Sequence, residues 1–538
     1  MTQRISIKDK KANILRKYTR FCFILTFTLF ITVSAYSAND KVNIDTDNKE
    51  VTQQNTTGVT DTEIIIGSIL PLEGYMAEIG WKIRAGLDKS LANQMVGKRQ
   101  VSIIYANDLY EPLLTPLRVQ RLLQTGIFAM IGNVGTPTAV VALPILRQAN
   151  IPAIGFFTGS GLLRTGDGLI LNYRASYTQE IVAVVDAAIN AGVKPEHVCA
   201  YVQNDEFGKA GVTGLQEALI KAKAPTHIIH SLTTILSGNN DWLIEPYNDK
   251  APINQNGPVG VYMRNQVDTM PGYQSLKEWE QKTGYSCNLV IAVGTYDNLA
   301  NFIHTARSFG ESWIISTISF SGADNFRRAL LALENLNPTT NTGNLRNVLT
   351  TQVTPPLDSK LPIVQEAQQL LGKKFDFISL EGYIIGKMML ELLRKTPDPL
   401  TPMSFANQAK QVKLDLGNLL IDFTRNGYQA SDLVTITKLI DTGYVPINAQ
   451  DWDEMLTWKR VKTETNIVKP KPHTESSTEQ KSVKSSNTKT STDVPKLKRS
   501  SEKKPKVENK QDNKSKLEHN GASITTNQST KKKRTQKP

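Results

Sequence analysis

Three cysteines, six histidines and no apolar run of comfortable bilayer-spanning length limit what this 538-residue chain can be. No C-x-x-C pair or H-E-x-x-H is present, so structural zinc and zinc-peptidase chemistry lack their ligands. G-x-S-x-G is missing, as are the phosphate-cradling G-x-x-x-x-G-K-[ST] and G-x-G-x-x-G. His227 and His230 stand three apart in HIIHSL, which reads as a strand and would point them to opposite faces rather than at one metal. These absences argue against an enzyme and against a bound cofactor or metal.

Charge of one sign is missing from the middle. The chain carries +13 overall, with 19 basic and 7 acidic residues from Lys469 onward and 7 basic and 1 acidic in the first 20, so the body between is about −5. Nucleic acid is therefore not the expected partner of the body. The N-terminus has a basic stretch, the short apolar FCFILTFTLFITV and the small residues SAYSA, the pattern of a secretory signal over 1–38. Cleavage is expected near Ser37 or Ala38, with an uncleaved anchor as the alternative. Cys22 sits inside the apolar core, so no lipoprotein site is indicated. The expected location is periplasmic or otherwise extracytoplasmic. There, Cys199 and Cys287 could form one disulfide or remain two buried thiols.

Residues 39–60 are polar and read as a linker. Strand-like runs follow at 64–70, 101–107, 128–132 and 151–157, then at 198–203, 227–232, 289–294 and 313–320, with helical stretches between them. Pro137 falls near a helix start, where its missing N–H costs nothing. Pro144 should kink or shorten the same helix. Alternating strands and helices imply parallel sheets, and two successive arrays imply an α/β chain of two doubly wound lobes. In such sheets ligands bind beyond the carboxyl ends of the strands. GNVGTPT and FFTGSG both end strands, so their N–H groups and hydroxyls suit an anion; alternatively they are only turns and caps. From Lys469 to the end, Lys, Ser, Thr and Pro dominate, which predicts a disordered tail. Its KKKR at 531–534 could grip an acidic polymer, membrane headgroups or nucleic acid, or have no fixed partner.

The ordered series IIIGSILPLEG, YANDLYEP, MIGNVGTPT, IPAIGFFTGSGLLR, LNYRASYTQE, QNDEFGKAG, VGTYDNLANFIHTAR, LPIVQEAQQLL and ISLEGYIIGKMMLELLR resembles the type I periplasmic solute-binding proteins. The likeness is to their leucine/isoleucine/valine-binding group, associated with ABC importers, through most of residues 61–460. It implies two Rossmann-like lobes joined by a three-strand hinge: 61–176 with 348–425, and 177–347 with 426–460. It also implies a small amino-acid-like or carboxylate-bearing ligand captured between the lobes and passed to an ABC permease.

The resemblance assigns ligand contacts as well. Gly135 with Thr136, and Thr158 with Gly159 and Ser160, would hold a carboxylate. Phe207, with Tyr296 facing it, would cover the ligand's other end, and Tyr75 or Trp81 could add a wall, the family's usual aromatic position there being Ile79. Where amino-acid binders carry an acid for the ligand ammonium, this chain has Ser321. Asp324, Asp297 or Asp205 would then have to serve, or the ligand is an amide, an aromatic acid or another organic acid. Residues 237–287 read as a long insertion that could cover the cleft or a partner surface. The basic tail is unexplained by transport, which keeps open a sensing or envelope-interaction module of the same fold.

Overall fold

The computed structural model describes residues 58–166, 169–237, 257–336, 343–424 and 428–459. The signal, nearly all of the linker, part of the 237–287 segment and the tail with its 531–534 cluster lie outside the described residues. Among the described residues, no helix is long and apolar enough to cross a membrane.

Two sheets organise the chain. The first holds β1 (Glu63–Leu70), β2 (Met95–Val96), β3 (Arg99–Asn107), β4 (Ala129–Ile131), β5 (Ala153–Ile154) and β6 (Ile170–Leu171), in the order β2-β3-β1-β4-β5-β6. The second holds β7 (Val198–Gln203), β8 (Val259–Tyr262), β9 (Leu289–Val293), β10 (Ile314–Thr317) and β11 (Val348–Gln352). A small hairpin, β12 (Lys413–Asp415) with β13 (Leu420–Asp422), stands apart, and β14 (Thr435–Ile440) and β15 (Gly443–Pro446) return to the second sheet. That sheet runs β15-β14-β11-β10-β9-β7-β8. VCAYVQ of β7 and LVIAV of β9 are buried at every position, as parallel strands covered on both faces by helices must be.

β11 pairs with β10 and β14, so the second sheet continues to Gln352 and the expected boundary at 347/348 shifts past that strand. The chain then returns to the first sheet's side, where the helix Phe377–Lys395 packs on the helix Ala77–Leu91. Glycine makes that contact possible. A Cβ on Gly382 would lie 2.5 Å from the Ile83 carbonyl oxygen, and one on Gly86 2.3 Å from that of Ser379.

Two local expectations change. HIIHSL lies in the helix Thr226–Ser237, with Ile228, Leu232 and Ile235 buried at helical spacing; the β-branched run imitated a strand. His227 and His230 are both exposed on that helix. The described part of the 237–287 segment supplies β8 and the helix Met270–Thr283, a regular unit of the second sheet rather than a loop insertion. Pro144 lies inside the helix Thr136–Gln148, which continues four residues beyond it.

β7 and β9 are parallel neighbours, and Cys199 is disulfide-bonded to Cys287 with Cα atoms 5.7 Å apart. Where the chain leaves the first sheet, Arg174 is buried and donates to both carboxylate oxygens of Glu381, Nε and Nη2 each at 2.9 Å. Burial alone would lower its pKa, but Glu381 and Glu180 hold the guanidinium charged. Arg174→Met would strand two buried carboxylates and should cost about 3–5 kcal/mol in urea unfolding. Arg174→Met combined with Glu381→Met should recover much of that loss. A single-variant cost under about 1 kcal/mol would mean the pair behaves like an exposed one.

Candidate functional site

The two strand-ending turns meet. The hydroxyls of Thr136 and Thr158 lie 2.7 Å apart, both fully buried. Thr136 opens the helix Thr136–Gln148, whose first turn presents backbone N–H groups except at Pro137. Gly135 precedes it with φ 107°, a conformation costly for other residues, and a Cβ there would strike the Tyr110 ring at 2.3 Å. The Gly159 position is equally crowded by Tyr177, whose N–H donates to the Gly159 carbonyl at 2.8 Å. Ser160 caps the short turn Gly161–Leu163, accepting from Leu162 N at 3.3 Å, and its own N–H donates to Thr158 Oγ1 at 3.3 Å. Of the five turn residues, Thr136 and Thr158 supply the paired hydroxyls, and the other three shape the turns.

Aromatic rings from both sheets' loops converge beside that pair. Phe320 lies 4.7 Å from Phe207, 5.4 Å from Phe157 and 6.2 Å from Tyr110, centroid to centroid. Phe207 also meets Tyr177 at 5.3 Å, and Tyr75 stands edge-on to Tyr110 at 6.0 Å. The Tyr75 and Tyr110 hydroxyls are buried without a hydrogen-bond partner. Phe320 and Tyr110 were not among the residues expected from sequence. Phe320 lies in the short turn Ser319–Ser321, and Tyr110 owes its place to a loop of unusual backbone.

In that loop Leu109 and Tyr110 both have positive φ, 58° and 63°. Such residues cost of order 1–3 kcal/mol each unless their surroundings fix them. Asn107 Oδ1 accepts from Leu109 N at 3.0 Å, while Asp108 accepts from Tyr110 N at 3.0 Å and Thr115 Oγ1 at 2.8 Å.

Other expected residues lie elsewhere. Tyr296 donates from its hydroxyl to the Tyr75 carbonyl at 2.5 Å, bridging the lobes at the rim, whereas Phe207 is faced by Phe320 and Tyr177. Ser321 is turned inward, donating to Ile318 O at 2.9 Å and Thr317 Oγ1 at 3.1 Å. Ile79 is buried and would meet a Cβ on Gly322 at 2.8 Å, whereas Trp81 is half exposed.

Asp205 caps the helix Glu206–Lys221 through Phe207 N at 2.8 Å and accepts from Gln203 Nε2 at 2.6 Å. Asp297 is exposed, and Asp324 lines a separate cavity with Arg327 and Lys373. None of the three is a free carboxylate among the rings. Opposite the Tyr110 loop, Arg264 pairs with Glu111 at 3.0 Å and Asn265 donates to Glu111 at 2.7 Å, so the 257–287 segment clasps the first lobe. No group of three or more His, Cys, Asp or Glu suited to a metal occurs among the described residues.

Residues 63–234 match the family model described as periplasmic binding protein. A possible leucine/isoleucine/valine-binding protein from Rhodopirellula baltica SH 1 is 27% identical, with a TM-score of 0.62, over 75% of this chain and 99% of its own. A fatty acid ABC transporter substrate-binding protein from Thermomonospora curvata is 15% identical, with a TM-score of 0.56, over 73% and 93%. A solute-binding protein of an ABC transporter from R. palustris, in complex with 4-hydroxybenzoate, is 15% identical, with a TM-score of 0.55, over 72% and 96%. A search of curated proteins returns no match. The match over residues 63–234 and the shared fold make the chain similar to the type I periplasmic binding proteins, with leucine/isoleucine/valine-binding proteins among its structural neighbours.

Burial pushes the Asp108 carboxyl up to about 6, against the hydrogen bonds from Thr115 and Tyr110 that favour its charge. An acid whose folded pKa is raised destabilises the fold once ionised. Asp108 therefore costs nothing below its ordinary value of 3.8 and about 2–3 kcal/mol above about 6, with stability falling across that window. Carboxyl NMR should show an aspartate midpoint near 6 that disappears in Asp108→Asn. A midpoint near 4 would mean the Tyr110 loop is open to water.

Proposed function

We propose that this chain is an extracytoplasmic solute-binding protein that captures a small carboxylate-bearing ligand between its lobes and presents it to an ABC importer. The observation that carries the reading is the Thr136–Thr158 hydroxyl pair at a helix start, enclosed by Phe157, Phe207, Phe320, Tyr110 and Tyr177. In a pair of hydroxyls 2.7 Å apart, one hydrogen joins the two oxygens and the other is free to reach an anion. The helix start adds positive potential. The rings favour a flat apolar body, and the Tyr110 hydroxyl can donate to it.

An α-amino acid would leave its ammonium buried without an acidic partner, since Asp205 is occupied as a cap and Ser321 faces inward. An aromatic carboxylic acid has no such requirement. The 4-hydroxybenzoate bound by the R. palustris protein is a ligand of this kind. The role is binding rather than catalysis, and transport follows from closure of the lobes and release to a permease.

Thermal unfolding of the full chain with aromatic acids, branched-chain amino acids and their amides tests the reading. A ligand at 100 times its Kd adds about 2.7 kcal/mol. An aromatic acid should give that stabilisation, and Phe207→Ala and Thr136→Val should each remove most of it. Stabilisation by leucine with none by aromatic acids would refute the ligand class. No shift with any compound would count against solute capture itself.

A further inference from the structure

Outside the aromatic site, residues of both lobes line a cavity of about 530 Å³. Both lobes build it. Glu78, Trp81, Lys82 and Ala85 come from the helix Ala77–Leu91, Asp324, Arg327 and Arg328 from the helix Ala323–Leu336, and Lys373 to Asp376 from the turn before the helix Phe377–Lys395. Its volume lies within the range of small-molecule sites.

Five cations line it against three carboxylates, in a body that is otherwise mildly acidic. Two of the acids are engaged. Asp376 pairs with Lys82 at 2.5 Å and caps its helix by accepting from Ser379 N at 2.8 Å, while Glu78 pairs with Arg328 across the lobes. Lys373 and Lys374 are exposed and make no ion pair among the described residues. Among the described residues, Arg327 donates to the Asp441 carbonyl, at 2.5 Å, and its Nε is buried without a partner.

The cavity also has an aromatic wall. Trp81 is 50% exposed; its Nε1 is held by the Leu72 carbonyl at 3.0 Å and one face of its ring is covered by Arg84 at 5.0 Å. Phe375 and Ala85 complete the apolar lining.

We propose that this junction cavity binds an organic anion bearing a flat ring, with the ring on Trp81 and the phosphate or carboxylate on Lys373, Lys374 and Arg327. Asp324 is the opposing charge in the site. Burial first, then Asp376, pushes its carboxyl up, while Lys82, Arg328 and Arg327 pull it down. Because both lobes contribute, occupancy favours the closed arrangement whatever the aromatic cleft holds.

Isothermal titration of the full chain at low salt with AMP, adenosine and inorganic phosphate tests this. AMP should bind at least about tenfold more tightly than either fragment. Trp81→Ala, and Lys373→Ala with Lys374→Ala, should each weaken AMP about tenfold, and Asp324→Asn should tighten it. Wild-type melting by circular dichroism would confirm that these variants fold. AMP binding no tighter than phosphate would reduce the site to surface charge. Loss of AMP in Phe207→Ala with no effect of Trp81→Ala would move it to the aromatic cleft. The absence of binding would overturn the proposal.

Discussion

The buried guanidinium of Arg174, at the place where the chain leaves its first sheet, is the interaction on which most of the architecture leans. It is held by both oxygens of Glu381, on the long central helix, and it stacks 4.3 Å over the ring of Phe157. Its carbonyl accepts from Arg164 Nη2 at 2.8 Å. Arg164 also donates to the Ser160 carbonyl at 2.8 Å and to Gln429 at 2.7 Å, in the segment that returns to the second sheet. Two cations, Arg174 and Arg164, thus fix a crossing segment, a site ring and a site turn together. Glu180, in the opposite lobe, accepts from Ser319 N at 2.8 Å and from Ser319 Oγ at 3.0 Å, and so positions the turn that carries Phe320. Charges that expensive to bury persist where removing one partner would strand the others.

This network explains how a site with almost no charge of its own can be rigid. Its rings come from separate elements: Phe157 follows β5, Phe207 opens a helix capped by Asp205, and Phe320 sits in a single turn after β10. The ionic and capping contacts lie one layer behind the rings. The space between the lobes is left with hydroxyls, backbone N–H groups and aromatic faces. On the proposed function, such a surface would select a ligand by shape and by one anionic group, and would exclude an ammonium through the cost of leaving it unpaired.

Much of this was legible in the residues. GNVGTPT and FFTGSG were expected to end strands and face one cleft, and Thr136 and Thr158 are in contact. Strand–helix alternation pointed to two parallel sheets, and both are present. The failures have physical causes. HIIHSL is rich in β-branched residues, but its burial repeats at three and four, which a six-residue window cannot separate from alternation. β8 is four residues long and follows Gly257 and Pro258, so it read as part of a loop. Phe320 reads as the end of the strand-like run 313–320, but β10 stops at Thr317 and Phe320 lies in one turn of 3₁₀ helix. Tyr110 depends on two consecutive left-handed residues held by Asn107 and Asp108, a conformation no propensity scale favours.

The contacts that hold the lobes together determine how any ligand is felt at a distance. Arg264 with Glu111, Arg328 with Glu78 and Tyr296 with the Tyr75 carbonyl all join one lobe to the other, the Arg328 pair in the lining of the separate cavity. Ion pairs at a rim contribute little stability singly, so the closed arrangement is not locked by them. A ligand that touches both lobes can therefore supply much of the closing free energy. Two ligands that each favoured the closed lobes would be coupled through that shared equilibrium, and the coupling would be reciprocal: whatever tightened one would tighten the other by the same factor. On the proposed function, lobe closure rather than any single side chain is the quantity a ligand would act upon.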